Sequence, residues 1–231
     1  MTTNALRATP DSWKDPRLPA EQLKVVEKEL VMLREGSPPR VYTAVADALK
    51  AVPGSDPLSL LEVGCASGYY AEVIAALVGD RFKYTGADYS DAMIDLARHR
   101  YPDTPFLRLD VRDIALPDAA YDVVLSGAVL QHVKEWKVGL CELARVARSY
   151  LILSRAPLTS GPSSRGECEL YAGVPGYMNW FNKDEFLGLV AECGFRTLHE
   201  QQVYPHEGPG RRHMTFLFRA AWSGSKTEEA P

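Results

Sequence analysis

Residues 60–68 combine an apolar run, an acidic residue and two glycines: Leu60-Leu61-Glu62-Val63-Gly64-Cys65-Ala66-Ser67-Gly68. A buried strand feeding a glycine turn, with a helical pattern opening at Tyr69, builds a ligand site at the carboxyl end of a sheet. Glycine permits the sharp turn and lets a ligand approach the backbone without meeting a Cβ. The dinucleotide fingerprint G-x-G-x-x-G uses a third glycine for close helix packing, and here the bulky Tyr69-Tyr70 follows the second glycine instead. The loop therefore suits a nucleoside ligand other than NAD. Glu62 is the last polar residue of a central strand, so its burial is costly unless something positive faces it.

The loop resembles the first motif of the class I S-adenosylmethionine-dependent methyltransferases, commonly an acidic residue, a hydrophobic one, then G-x-G-x-G. Ala66 stands where that motif has its middle glycine. Three further matches follow in order: Gly86-Ala87-Asp88-Tyr89-Ser90, then Leu109-Asp110-Val111-Arg112-Asp113, then the run from Tyr121 through Ser126 and Gly127 to His132. Together they cover roughly residues 58–155, with weaker support to 220. The resemblance implies S-adenosyl-L-methionine as cofactor and a set of residues around it. Asp88 would accept hydrogen bonds from both ribose hydroxyls, with helix capping as its ordinary alternative. Asp110 would meet the adenine amino group and the Val111 N–H a ring nitrogen, the alternative being a solvated turn. Ser126 and Gly127 would lie beside the methionine part. Glu62 would face the cofactor's ammonium group, or else pair with a basic residue elsewhere in the fold. Gly64, Cys65, Ala66, Gly68, Tyr89 and Met93 complete the expected cofactor set.

In this chemistry the protein must hold a nucleophile in line with a C–S bond and exclude water. A base helps only a hydroxyl or a protonated amine, and His132 is the candidate because imidazole titrates near neutrality. A pocket wall or a surface position are its alternatives. The other histidines, His99, His199, His206 and His213, share no metal-ligand spacing with the cysteines, so no metal site is expected. Substrate contacts are expected from Trp13, Tyr42, Tyr69, Tyr171, Tyr177 and Trp180, each of which is individually more often ordinary packing. Arg155, Arg165, Arg211 and Arg212 could hold a carboxylate or phosphate on the acceptor, with a solvated surface as the default.

The elements that must position these residues alternate. Residues 1–19 are expected to be irregular, and helices over 20–35 and 40–52 to form an N-terminal cap over the ligand cleft. Strand patterns at 58–63, 83–87, 106–109, 121–126 and 150–154 are interleaved with helices over 69–78, from Ser90, and over 134–147. Repeated β-then-α units imply a parallel sheet with right-handed crossovers. Residues 156–181, rich in Gly, Pro and Ser, read as a substrate-side insertion. A helix opens at Asn182 with Glu185 three residues on, as in a capping box, and stops at Gly194. Strands over 195–203 and 213–220 close the domain, and 223–231 reads as a disordered tail. The resulting fold class is α/β: a Rossmann-like seven-stranded, mostly parallel sheet with an antiparallel last strand and helices on both faces.

At 231 residues the chain suits a single domain over 20–222. A net charge of −4 disfavours nucleic acid as partner. No apolar stretch approaches a membrane span or a signal peptide, and the widely spaced Cys65, Cys141, Cys168 and Cys193 suit free thiols in a reducing cytoplasm. The expected function is S-adenosylmethionine-dependent methylation of an O or N atom of a small organic acceptor, aromatic or sugar-like. An RNA or protein methyltransferase, a non-catalytic binding protein of the same fold, and an NAD oxidoreductase are the competing readings. Apolar residues on the two N-terminal helices suit either a homodimer contact or a lid.

Overall fold

A computed structural model describes residues 7–55, 57–204 and 210–221. His206 and the expected tail 223–231 lie outside the described residues. The strands are β1 (Leu58–Val63), β2 (Phe82–Asp88), β3 (Phe106–Arg108), β4 (Tyr121–Gly127), β5 (Ala147–Thr159), β6 (Ser164–Glu169), β7 (Pro175–Asn182), β8 (Phe195–Gln202) and β9 (Arg211–Ala220). The helices are α1 (Leu18–Arg34), α2 (Arg40–Lys50), α3 (Tyr70–Leu77), α4 (Asp91–Arg100), α5 (Trp136–Val146) and α6 (Lys183–Glu192).

The first five strands pair in parallel in the order β3-β2-β1-β4-β5, β9 joins β5 antiparallel, and β8 joins β9 antiparallel. These seven strands are the expected mostly parallel sheet, which the β6–β7 pair extends to nine strands. Its order reverses between β1 and β4, and ligands bind beyond the carboxyl ends of strands at such a switch point. Alternate residues of each strand feed opposite faces. On one face Leu61, Val63, Val124, Leu151 and Leu153 pack with Trp136, Leu140, Leu143 and Phe186 of α5 and α6. On the other, Leu60, Val123, Leu125 and Ile152 pack under Val26, Leu30, Val45, Leu49 and Ile74 of α1 to α3. Each such fully buried aliphatic side chain contributes about 1.5–3 kcal/mol, so both helix layers are held by apolar burial.

Several local details differ from the expectation. Residues 12–14 form a single 3-10 turn within the segment expected to be irregular, and α1 starts at Leu18. Helix α2 does not roof the cleft: Tyr42 is fully buried against Tyr69 and Tyr70, and its hydroxyl donates to Glu29 at 2.9 Å. The insertion is largely the antiparallel hairpin β6–β7, with β7 also pairing the end of β5. Strand β6 is almost wholly exposed, which leaves no apolar alternation to betray it. Ser90 occupies the N-cap of α4 without a side-chain capping bond, and its backbone N–H donates to Asp88. Asn182 does cap α6, accepting from the Glu185 N–H at 2.9 Å. The Glu185 carboxylate turns away to Lys137, so the reciprocal half of the box is absent. Cys141 and Cys193, distant in sequence, meet with their sulfurs 3.2 Å apart.

Candidate functional site

The β1–α3 turn is built by left-handed backbone. Gly64 has φ 84° and Gly68 φ 75°, while Ala66, in place of a glycine, adopts φ 50°. A side chain on Gly64 would collide with the Val129 Cγ2, and one on Gly68 would enter the Phe106 ring. The glycines thus serve packing around the turn as much as ligand approach. The Ala66 N–H donates to Asp88 Oδ2 and the Ser90 N–H to Asp88 Oδ1, both at 3.0 Å. The Tyr89 N–H also acts on this carboxylate, which with about four acceptor sites on its two oxygens still has acceptor capacity left. Burial raises the Asp88 pKa, and backbone N–H donors work against that rise.

A cavity of about 400 Å³ opens above the carboxyl ends of the strands, within the range typical of small-molecule sites. Of the expected cofactor set, Gly64, Ala66, Asp88, Tyr89, Met93, Asp110, Val111 and Gly127 line it. Glu62, Cys65, Gly68 and Ser126 are not among its lining residues and stand behind it. Cys65 packs with Ile94, Ala97 and Phe106, and the Ser126 hydroxyl donates to the Val63 carbonyl at 3.0 Å. Among the expected substrate residues, Trp13, Tyr69, His132 and Tyr171 line the cavity, and Tyr177 is not among its lining residues. Tyr42 is part of the core beneath, and Trp180 lies instead against His213 and Arg211.

Three ionisable groups are shaped by their surroundings. Burial pushes the Glu62 carboxyl up to about 8, with the Tyr84 hydroxyl and the Arg155 charge pulling the other way. No basic residue forms an ion pair with Glu62 among the described residues. Burial also acts to raise Asp110, but the Arg112 guanidinium and N–H grip both its oxygens and hold it below the usual carboxylate range. His132 is lowered to about 4, chiefly by burial. Its Nδ1 lies 2.7 Å from the Tyr177 carbonyl oxygen. A carbonyl only accepts, so Nδ1 carries the proton and Nε2 keeps its lone pair.

The aromatic end of the cavity is assembled from distant segments. The Trp13 ring sits 5.3 Å from the His132 ring and 6.1 Å from that of Tyr171. The Tyr89 hydroxyl accepts from the Trp13 N–H at 3.2 Å and donates to the Pro10 carbonyl, which docks the N-terminal turn over the site. Buried Asn179 of β7 donates to the Leu130 and Val133 carbonyls at 3.1 and 2.7 Å, bracketing the turn that carries His132. Gln22, Arg112 and Leu170 also line the cavity and were not expected from sequence. Gln22 had no signal because it sits on an ordinary amphipathic helix, and Asn179 none because its partners lie in another element.

Residues 61–152 match the methyltransferase-domain family profile. A probable S-adenosylmethionine-dependent methyltransferase of Mycobacterium tuberculosis is 28% identical over 149 residues, covering 63% of this chain and 52% of that protein. The malonyl-[acyl-carrier protein] O-methyltransferase of Serratia marcescens is 32% identical over 118 residues, covering 51% of this chain and 45% of that protein. The chain thus spans about half the length of the curated relatives it matches. Magnesium protoporphyrin IX methyltransferase from Synechocystis PCC 6803, solved with bound S-adenosylmethionine, shares the fold with a TM-score of 0.58 at 18% identity, covering 90% of this chain and 89% of that one. No described helix is long and apolar enough to cross a membrane. Sheet order, glycine turn and matched profile agree: residues 61–152 carry a methyltransferase domain, and the chain is similar to the class I S-adenosylmethionine-dependent methyltransferases, a family whose cofactor is S-adenosylmethionine.

Proposed function

We propose that this protein transfers a methyl group from S-adenosylmethionine to an oxygen or nitrogen of a small organic acceptor by direct displacement. The observation that carries the reading is one cavity whose wall holds Asp88 and Asp110 on the β2 and β3 side, and Trp13, His132 and Tyr171 beyond them. The residues fit the cofactor: Asp88 keeps acceptor lone pairs beside a turn whose backbone it already organises. When bound, S-adenosylmethionine supplies an electrophilic methyl on its sulfonium.

The chain's own residues then bind, orient and exclude water. Asp88 receives the ribose hydroxyls, and Asp110 with the Val111 N–H receives the adenine edge. Glu62, behind the cavity wall and raised to about 8 by burial, would become ionised if an ammonium were bound in front of it. Trp13, Tyr69 and Tyr171 hold the acceptor's body. His132 accepts a hydrogen bond from the acceptor at Nε2, and its low proton affinity makes it an orienting group rather than a proton store. Alignment of this kind supplies much of the rate in a displacement.

Calorimetric titration with S-adenosylhomocysteine and with NAD tests the reading. Binding of the first and not the second, followed by acceptor-dependent release of S-adenosylhomocysteine in a small-molecule screen, is the expected result. Turnover confined to RNA or protein would move the acceptor class, and no binding of S-adenosylhomocysteine would end the proposal.

A further inference from the structure

Three buried polar atoms without a hydrogen-bond partner belong to residues lining the cavity: Arg155 Nε, Trp13 Nε1 and Gln22 Oε1. Buried polar atoms are nearly always paired, so a cluster of three marks a place where a polar ligand completes the set. Arg155 is the informative member, since its guanidinium is charged at every accessible pH and has five donors.

Arg155 follows Ser154, which pairs with Gly127 across the β4–β5 ladder, and its guanidinium lies beside Gly127. Its backbone is left-handed, with φ 57°, where the β5–β9 register slips between Leu153 and Ala156. Such a slip re-aims a side chain out of the regular alternation. The acidic groups that feel the Arg155 charge are committed elsewhere. Glu62 holds the Tyr84 hydroxyl and Glu29 holds that of Tyr42. No carboxylate forms an ion pair with Arg155 among the described residues. Arg112, the other arginine of the cavity, is already held by Asp110.

Sheet order says which end of a bound ligand Arg155 meets. Asp88 ends β2, and Arg155 lies on β5, three strand spacings away in the order β2-β1-β4-β5. At ~4.8 Å per strand that is about 14 Å, the breadth of a nucleoside. Besides Glu62 behind the wall, the Arg155 charge is felt by Tyr69, His132 and Tyr171, the rings of the acceptor end.

We propose that Arg155 is the receptor for a carboxylate on the methyl acceptor, so that the substrates are small organic acids with a flat, apolar body. The assignment rests on the methyltransferase reading of the same cavity. A planar guanidinium binds a carboxylate through two parallel hydrogen bonds, which fixes the direction of the rest of the molecule. Trp13 Nε1 and Gln22 Oε1 then offer one donor and one acceptor to the remaining polar groups of the acid.

The test uses the full chain loaded with S-adenosylhomocysteine and three probe acids: 4-hydroxybenzoate, 3-(4-hydroxyphenyl)propanoate and indole-3-acetate, each beside its carboxamide. Binding is followed by ligand-observed NMR. At least one acid is expected to bind about tenfold or more tighter than its amide, and Arg155→Met to erase that difference. Arg155→Lys is expected to restore part of it, because the charge returns without the fork. Affinity for S-adenosylhomocysteine should stay within about twofold in both variants, and melting curves report whether each folds. Equal binding of acids and amides by the wild type, or no binding of any acid, overturns the proposal. So does a parallel loss of S-adenosylhomocysteine binding in folded Arg155→Met, which would assign the guanidinium to the cofactor's own carboxylate. If only Arg155→Lys folds, undiminished preference for acids in it overturns the two-bond geometry. Failure of the wild type to bind S-adenosylhomocysteine sinks the methyltransferase reading itself, a result distinct from each of these.

Discussion

His132 and Tyr177 are joined across 45 residues of sequence by a 2.7 Å contact between the imidazole Nδ1 and a main-chain carbonyl. This bond sets the tautomer, and burial sets the charge: the ring is neutral down to about pH 4. In an unfolded chain the same ring protonates near 6.5. Between those values the unfolded state binds more protons, so stability falls as pH drops through that window. His132→Asn keeps a donor for Tyr177 and does not titrate. It is expected to lose less stability than the wild type on acidification from about pH 6.5 to 4, measured by urea unfolding. Its turnover should fall roughly tenfold with S-adenosylhomocysteine affinity within about twofold, and near-wild-type turnover would remove the orienting role.

Glu62 has the opposite dependence. Its carboxyl is raised to about 8 in the folded protein, against ~4.3 when unfolded. The folded state therefore holds the extra proton, and the contribution to stability is full in acid and lost as pH rises toward 8. Glu62→Gln remains neutral throughout. The difference in unfolding free energy between variant and wild type, without ligand, should move in the variant's favour from pH 5 to pH 8.5. An unchanged difference would show that Glu62 is ionised in the free protein.

Asp88 organises its surroundings before any ligand arrives, accepting from the Ala66 and Ser90 N–H groups. Asp88→Ala removes both acceptors and those facing the cavity. Affinity for S-adenosylhomocysteine is expected to fall by about tenfold to a hundredfold by calorimetry, the cost of one or two charge-assisted hydrogen bonds. The stabilisation that this ligand gives in thermal melts should shrink with it. Unchanged affinity would break the ribose assignment.

Gly64 and Ala66 make a paired test of the turn. Gly64→Ala puts a methyl against Val129 in a left-handed backbone and should cost about 1–3 kcal/mol in denaturant unfolding. Ala66→Gly relieves a strained φ but adds freedom to the unfolded chain, so its effect should stay within about 0.5 kcal/mol. A large loss from the second change would mean that the Ala66 methyl, packed with Leu18 and Met93, matters more than its backbone.

Asn179→Ala frees the Leu130 and Val133 carbonyls around the His132 turn. Stability should drop by about 1–3 kcal/mol, and the His132 titration, followed by NMR, should move up from about 4 toward its ordinary value.

The parallel strands β1 to β5, the glycine turn and the acids at strand tips could be read from the chain because each depends on near neighbours, unlike the exposed β6. A buried parallel strand needs only its own apolar run, and a left-handed turn only its small residues. Asp88 and Ala66 are 22 residues apart, yet β1 and β2 are adjacent strands, so the βα repeat alone brings them together. The aromatic end of the cavity obeyed no such local rule. Trp13 reaches the site through Tyr89, 76 residues on, and Gln22 and Arg155 reveal their unpaired atoms only once every neighbour is placed. Tyr42 and Trp180 share the residue type of Tyr69 and Tyr171 but fold into the core and against Arg211. Aromatic composition cannot separate a ligand wall from packing, since burial of a ring is favourable against either. Local propensity wrote the glycine turn and the strand-tip acids of this cleft, while long-range packing chose which aromatic and polar side chains close its other end.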